Sequence, residues 1–217
     1  RSAGNVLYAR WRRAGPLRND KGLTWIFSAH DQVFPGDFDG DGRDDLYVVN
    51  QKDWGKFYVA MLRSTGFGFE PVRIFQSDLP GWKLVATDRF LTGDFDGDGR
   101  IDLGVFNGLH WDNAHFGLFR STGTNLTAVQ HYIQALPGAF TMSKNDRFEV
   151  GDLNGDGRED LVVYNKEDWS DVVMGIFVST ATGLNGTRQY GYNTGSLKMP
   201  DGGRWNLRAG DFPRTES

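Results

Sequence analysis

Short apolar runs alternate along the chain with clusters of glycine, asparagine and proline, a pattern that predicts β-strands joined by turns. In the middle of the chain this pattern predicts four strands, which we name A to D. Their ranges are Phe90–Phe95, Asp102–Phe106, Phe116–Ser121 and about Ala128–Ile133. Strand B is apolar on both faces, as in "LYVV" at Leu46–Val49, which is typical of a strand covered on both sides. No segment has a pattern that predicts a helix.

The strand pattern recurs at a nearly constant interval. Asp37, Asp94 and Asp152 open three matching acidic stretches that lie 57 and 58 residues apart, and Asp211 follows 59 residues later. The repeat units therefore run over about 37–93, 94–151 and 152–210, with partial units at 1–36 and 211–217. A long period that contains several strands signals a solenoid or a propeller. Four antiparallel strands per unit favour an all-β fold, a single β-propeller or propeller fragment of four-stranded blades over residues 1–217.

Composition narrows the classes of site and partner. The 217 residues are 39% hydrophobic, which is enough for a packed core, and they contain no cysteine. A disulfide framework, a thiolate zinc site and a cysteine nucleophile are therefore excluded. No apolar run approaches the ~20 residues of a membrane helix, so we expect no membrane insertion. A formal net charge of −4 argues against nucleic acid as a partner.

Each acidic stretch has the composition of a calcium loop. The stretches read "GDFDGDGRDDL", "GDFDGDGRIDL" and "GDLNGDGREDL". Counted from the first aspartate, positions 1, 3, 5 and 9 carry oxygen side chains, and glycines at positions 4 and 6 permit a tight curl. Because Ca²⁺ prefers six to eight oxygen ligands, we predict three sites, with the position-7 carbonyl as a further ligand and the position-7 arginine side chain facing solvent. The predicted ligands are Asp37, Asp39, Asp41, Arg43 and Asp45, then Asp94, Asp96, Asp98, Arg100 and Asp102, then Asp152, Asn154, Asp156, Arg158 and Asp160.

Two other interpretations of the acidic loops were weighed. They are not EF-hands, because position 12 is valine rather than a bidentate glutamate and the flanking segments predict strands. A solvated acidic turn needs no metal, but three such turns in register disfavour that alternative. Three calcium ions would change the formal charge from −4 to +2. We expect these ions to be structural, because each metal-free loop forces like charges together.

The three loops, each preceded by glycine and followed by an apolar strand, resemble the FG-GAP/VCBS repeats of integrin α-subunit-like β-propellers. The resemblance covers nearly the whole chain. It implies that each acidic loop joins strands A and B of a blade, that the twelve oxygen side chains named above hold calcium, and that the ligand-binding loops lie on the opposite face. Asp211 is not followed by further carboxylates at the right spacing, so no fourth site is expected.

The two ends of the chain carry incomplete units. The segment Val6–Gly15 aligns with a strand C, Leu23–Ala29 with a strand D, and Trp205–Phe212 with a strand A, but a strand B for that blade is missing. Three whole blades are few for a closed ring. The sequence therefore predicts either a fragment of a larger propeller or a half-ring that completes itself by self-association.

Tryptophans recur in the predicted B–C loops, which read "NQKDW", "NGLHW" and "NKEDW". Trp54, Trp111 and Trp169, with Asp53 and Asp168 beside two of them, are candidate ligand-binding residues, because an aromatic platform with adjacent acceptors suits a sugar. The alternative is that the tryptophans pack between adjacent blades, and one residue can do both.

Three functions fit these features. The first is an extracellular, calcium-stabilised, lectin-like module that binds a glycan. The second is an adhesion module that binds an extracellular protein, and the third is the propeller segment of a larger secreted enzyme. We expect no catalysis by this chain alone, because its four histidines share no repeat position and no GxSxG, HExxH or P-loop motif is present. Sequons at Asn125 and Asn185 are compatible with secretion.

Overall fold

The described part of the protein consists of strands, turns and loops. The computed structural model describes residues 17–18, 24–25, 27–50, 57–77, 88–106, 113–135, 146–164, 171–180 and 183–193. The strands are β1 (Leu17–Arg18), β2 (Thr24–Trp25), β3 (Asp31–Gly36), β4 (Asp45–Asn50), β5 (Phe57–Ser64), β6 (Phe69–Ser77), β7 (Arg89–Gly93), β8 (Asp102–Phe106), β9 (Asn113–Ser121), β10 (Leu126–Ala135), β11 (Arg147–Gly151), β12 (Asp160–Tyr164), β13 (Asp171–Thr180) and β14 (Gly183–Asn193). These residues include no helix, and hence no helix long and apolar enough to span a membrane.

Three four-stranded antiparallel sheets follow one another along the chain. Their strand orders are β3-β4-β5-β6, β7-β8-β9-β10 and β11-β12-β13-β14, and β1 pairs with β2 in a two-stranded sheet. Each sheet is one predicted unit of strands A, B, C and D, so the all-β class and the blade-like repeats are confirmed. A closed ring of blades is not seen in the described part of the chain.

The strand bounds differ in detail from the prediction for the second repeat. Strand B was predicted correctly, but strand A ends at Gly93 rather than at Phe95. The strand ends there because Asp94 begins the acidic loop and turns the chain with its own carboxylate. Strands C and D are longer than predicted, and a register shift between Ala128 and Gln130 interrupts their pairing. Apolar periodicity does not reveal these outer residues, since a bulge breaks the alternation.

The core lies between consecutive sheets. All five residues of β8 are buried, which confirms that strand B is covered on both faces. One apolar cluster joins the first two repeats and contains Phe38, Tyr47, Phe119 and Leu126. A second cluster joins the second and third repeats in the same way. The hydrophobic stabilisation therefore comes largely from contacts between repeats.

Glycines at the end of strand A allow consecutive repeats to approach closely. A β-carbon on Gly36 would lie 2.5 Å from Cγ2 of Ile101 in the next repeat. A β-carbon on Gly93 would lie 2.6 Å from Oε2 of Glu159, again in the next repeat. A side chain at either position would force one repeat away from the other.

The predictions for the chain ends are tested only in part. Of the strand predicted over Leu23–Ala29, only Thr24–Trp25 forms a strand among the described residues, and Ala29 and His30 lie in a turn. Asp31 ends this turn by accepting hydrogen bonds from the Ser28 N–H, at 2.9 Å, and the Trp25 indole N–H, at 3.2 Å. The strands predicted over Val6–Gly15 and Trp205–Phe212 lie outside the described residues.

Candidate functional site

The acidic loops connect strands A and B at the same end of each sheet, as predicted. They lie between Gly36 and Asp45, between Gly93 and Asp102, and between Gly151 and Asp160. The turn between strands C and D lies at this end too, since the Ser64 N–H at the end of β5 donates to Asp45 at the start of β4.

The first aspartate of each loop organises the curl. The Asp37 carboxylate accepts hydrogen bonds from the N–H groups of Gly40 (2.7 Å), Asp41 (3.1 Å) and Gly42 (2.7 Å). The two glycines have φ values of 78° and 86°, in the left-handed region that glycine adopts without strain. Asp94 and Asp152 make the same three bonds in their own loops. The curl therefore forms from residues of the loop itself.

In two of the loops the curl brings three carboxylates together. Asp37, Asp39 and Asp45 each place a carboxylate oxygen within 4.8 Å of the others, and so do Asp94, Asp96 and Asp102. These are positions 1, 3 and 9 of the predicted ligand set. The position-5 residues, Asp41 and Asp98, are not members of these groups.

The position-9 aspartates carry the clearest sign that a cation fits. The side chains of Asp45 and Asp102 are fully buried, and one oxygen of each accepts a backbone N–H, from Ser64 at 2.6 Å and from Ser121 at 2.7 Å. The second oxygen, Oδ2, is buried in both residues and has no hydrogen-bond partner. An unpaired buried carboxylate oxygen is costly, and a bound cation would satisfy it.

Burial shifts the protonation of these groups. Burial raises the pKa of the Asp102 carboxyl to about 8, the Ser121 hydrogen bond opposes the shift, and the charge of Asp96 adds to it. Burial also raises the pKa of Asp45 and of Asp160 at the same loop position. A divalent cation would reverse this effect by favouring the ionised carboxylates.

The position-7 arginines do not simply face solvent, as the sequence led us to expect. The guanidinium groups of Arg43, Arg100 and Arg158 pair with the position-5 aspartates Asp41, Asp98 and Asp156. Each Nε also donates to a strand-C carbonyl, as from Arg100 to Ser121 at 3.2 Å. These arginines therefore fold back over the loop. Whether the position-7 carbonyls are ligands stays a prediction.

A second set of arginines was missed by the sequence analysis. Nε of Arg63 lies 2.6 Å from Oδ2 of Asp39, and Nε of Arg120 lies 3.2 Å from Oδ2 of Asp96. Both arginines open the repeated "RSTG" segment at the end of strand C, 24 residues after their partners. That repetition was the available signal, but pairing of strand C with the loop is visible only in the folded sheet.

The third loop differs at both members of this pair. Position 3 is Asn154, and Val178 stands where the first two repeats have Arg63 and Arg120. Asp160 is buried like its counterparts, but its Oδ2 accepts the Leu153 N–H at 3.1 Å. The sign of a missing cation is therefore weaker here, and a third calcium site stays a prediction from sequence.

The charge balance of the three loops is nevertheless the same. At the ligand positions, the first two loops have four carboxylates each, contacted by two guanidinium groups, whereas the third has three carboxylates contacted by one. Each set is left with two uncompensated negative charges, which is the charge that one divalent cation neutralises.

Consecutive loops are also bonded to each other. The Ile101 N–H donates to the Asp37 carbonyl, and the Glu159 N–H to the Asp94 carbonyl, both at 2.8 Å. The Asp94 N–H in turn donates to Oε2 of Glu159 at 2.7 Å. Any ion that orders one loop therefore also supports the contact with the next repeat.

The tryptophan loops lie outside the described residues. Trp54, Trp111, Trp169, Asp53 and Asp168 all fall in undescribed segments, so their grouping and their role stay predictions. The adjoining strands do fix where the first segment begins. It follows Asn50 at the end of β4 opposite Asp45, and the Asn50 amide donates to Asp31 at 2.6 Å.

Comparison with known proteins agrees with the repeats. A family model described as FG-GAP-like repeat matches residues 37–105 and again residues 94–163. The matched region begins at the first acidic loop, contains all three loops and spans more than half of the chain. A search of curated proteins finds no match.

Proposed function

The chain belongs to the family of FG-GAP-like repeat proteins, and from this we propose that it is a calcium-stabilised β-propeller that acts as an extracellular, carbohydrate-binding module. Repeats of this family are typical of extracellular proteins and often bind calcium. The observation that carries the metal part of the proposal is the pair of three-carboxylate groups, each with an unpartnered buried oxygen at position 9.

Calcium is the cation that best suits these donors. Every group that converges is a carboxylate, with no histidine or cysteine among them, and hard oxygen ligands favour Ca²⁺ over zinc or copper. Bound calcium would supply positive charge that holds the carboxylates together, and the chain itself supplies the curl and the hydrogen bonds to strand C. A cage that protein atoms fill leaves little coordination for a ligand. The ions are therefore assigned a structural role.

Ligand binding is assigned to the opposite end of the sheets. The direction of β4 supports this assignment, because the "NQKDW" segment follows the end of that strand remote from the acidic loop. Trp54, Trp111 and Trp169 would then provide one stacking surface per repeat, with Asp53 and Asp168 as polar partners. Repetition would make binding multivalent, so that weak single contacts add up to useful avidity.

A glycan array with saturating calcium tests this function. Replacement of Trp54, Trp111 or Trp169 by alanine should weaken glycan retention by about 1–3 kcal/mol without changing Tm. Phe67→Ala is the matched control, because Phe67 is 98% exposed in the C–D turn at the acidic-loop end and should leave binding unchanged.

Other outcomes would favour the alternatives. If each Trp→Ala variant instead lowers Tm sharply, the tryptophans pack between blades and the lectin proposal is wrong. Retention of an extracellular protein that free sugar does not release would favour an adhesion module. Activity that appears only with additional chain would favour a segment of a secreted enzyme.

A further inference from the structure

Each contact between consecutive repeats has two different sides. One side, here called the loop face, presents the apolar residue at position 2 of the acidic loop, which is Phe38, Phe95 or Leu153. The other side, the hairpin face, presents the first residue of strand D in the following repeat, which is Leu126 or Leu184, and in the first repeat Phe69. Phe38 and Leu126 share one cluster, and Phe95 and Leu184 share the next.

These internal contacts bury both sides almost completely. Phe38 and Leu126 are 0% and 1% exposed, and Phe95 and Leu184 are 2% and 4% exposed. The repeat therefore uses the same pair of positions twice, and each time the pair is removed from water.

The outermost copies of the same positions are exposed. Leu153 on the loop face of the third repeat is 37% exposed, and Phe69 on the hairpin face of the first repeat is 48% exposed. On strand A of the first repeat, Val33 is 51% exposed, whereas its counterpart Phe90 is 7% exposed. Trp25 packs against another part of the first repeat, with Val48 and Ile74, and does not cover these residues.

A backbone donor shows the same asymmetry. At the internal contacts, the position-8 N–H groups of Ile101 and Glu159 donate to the position-1 carbonyl of the preceding loop. The equivalent residue of the first repeat is Asp44, whose N–H has no such carbonyl partner in the described part of the chain. Asp152 offers the matching carbonyl at the other end of the three repeats.

We propose that a second copy of this chain docks head to tail, with the loop face of its third repeat on the hairpin face of the first repeat. Leu153 of one copy would cover Phe69 and Val33 of the other, and the Asp44 N–H would meet the Asp152 carbonyl. The argument is continuity with the internal contact, of which this chain carries both halves at opposite ends. Such a contact is heterologous and leaves one free face at each end of the dimer. It does not rest on glycan binding.

Sedimentation of wild type and variants, with calcium present, tests the proposal. Wild type should associate with increasing concentration, whereas Phe69→Asp and Leu153→Asp should each stay monomeric because each has lost one half of the contact. A mixture of the two variants should form a one-to-one heterodimer and nothing larger, since one intact half remains on each. Phe67→Asp is the matched control, because Phe67 is exposed but its counterpart Thr124 is exposed too.

Disulfide capture provides a second measurement that does not depend on charge. The chain has no cysteine, so Phe69→Cys and Leu153→Cys each introduce a single thiol. Oxidation of the mixture should give a disulfide-linked dimer of one copy of each, at several times the yield from either variant alone. A monomeric wild type at about 100 µM, or Asp variants that associate like wild type, would overturn the proposal. Equal capture from single variants and from the mixture would overturn the head-to-tail arrangement.

Discussion

At the level of single residues, the charge at loop position 3 is matched to strand C. Asp39 and Asp96 contact arginines of strand C, whereas Asn154 occurs in the repeat that has Val178 at the arginine position. The two substitutions change together and leave the charge of the loop unaltered. We therefore interpret Arg63 and Arg120 as residues that orient the position-3 carboxylate and balance its charge.

This interpretation predicts non-additive effects in the middle loop. Asp96→Asn alone would leave the Arg120 guanidinium beside the cation without its partner, and should lower calcium-dependent stabilisation by about 1 kcal/mol. Asp96→Asn combined with Arg120→Val reproduces the third loop and should recover most of that loss. Calcium titrations followed by Tm measure both variants. Equal losses in the single and double variants would show that the arginine does not act through charge.

The raised pKa of Asp102 predicts how the calcium-free protein responds to pH. Because the folded state holds this proton up to a pKa of about 8, well above the usual value of 3.8, the folded state binds more protons than the unfolded state between these values. The stability of the chelator-treated protein should therefore fall as pH rises from about 4 to 8, and the stabilisation by added calcium should grow over the same window. Asp102→Asn keeps the acceptor for the Ser121 N–H and should flatten the calcium-free profile. A calcium-free Tm that rises through this window equally in wild type and variant would contradict the assignment.

At the level of strands and loops, much was predictable and the reasons are physical. Period-2 and continuous apolar patterns located the strands, and glycine spacing located the curls at Gly40 and Gly42, where positive φ is observed. The pairing of Arg120 with Asp96 and the return of Arg100 onto Asp98 were not predictable, because they depend on the register of strand C against the loop. Side-chain direction at a turn is set by such contacts and not by local sequence.

The contact between neighbouring repeats predicts a large effect from one added methyl group. Gly36→Ala should destabilise the fold by about 1–3 kcal/mol, because its β-carbon would lie 2.5 Å from Cγ2 of Ile101. Gly68→Ala is the matched control, since no atom lies within 4 Å of its β-carbon and its φ is not positive. Ile101→Ala should partly relieve the clash, although Cβ of Ile101, at 2.9 Å, remains close. Chemical denaturation of the four variants measures these differences, and equal stability of Gly36→Ala and Gly68→Ala would contradict the packing.

At the level of the whole molecule, the acidic loops account for the net charge and join the repeats. With eleven aspartates removed from water and neutralised by three ions, the formal charge would change from −4 to +2. The loops also bond to each other through Ile101 and Glu159, so a cation bound in one loop would support the next contact. Length, period and blade-like organisation were predictable from the repeated motif. The number of blades was not, because ring closure depends on residues beyond the described sheets.

The central claim is that cations in these loops stabilise the fold, and thermal unfolding at controlled free calcium tests it most directly. A ligand that binds only the folded state stabilises it by about 2.7 kcal/mol at a hundredfold excess over Kd. We therefore expect Tm to rise steadily with the logarithm of free calcium and to fall when a chelator is added. Metal content is measured on the same samples. A Tm that stays the same in the calcium-loaded protein and in protein shown to be metal-free would contradict the account.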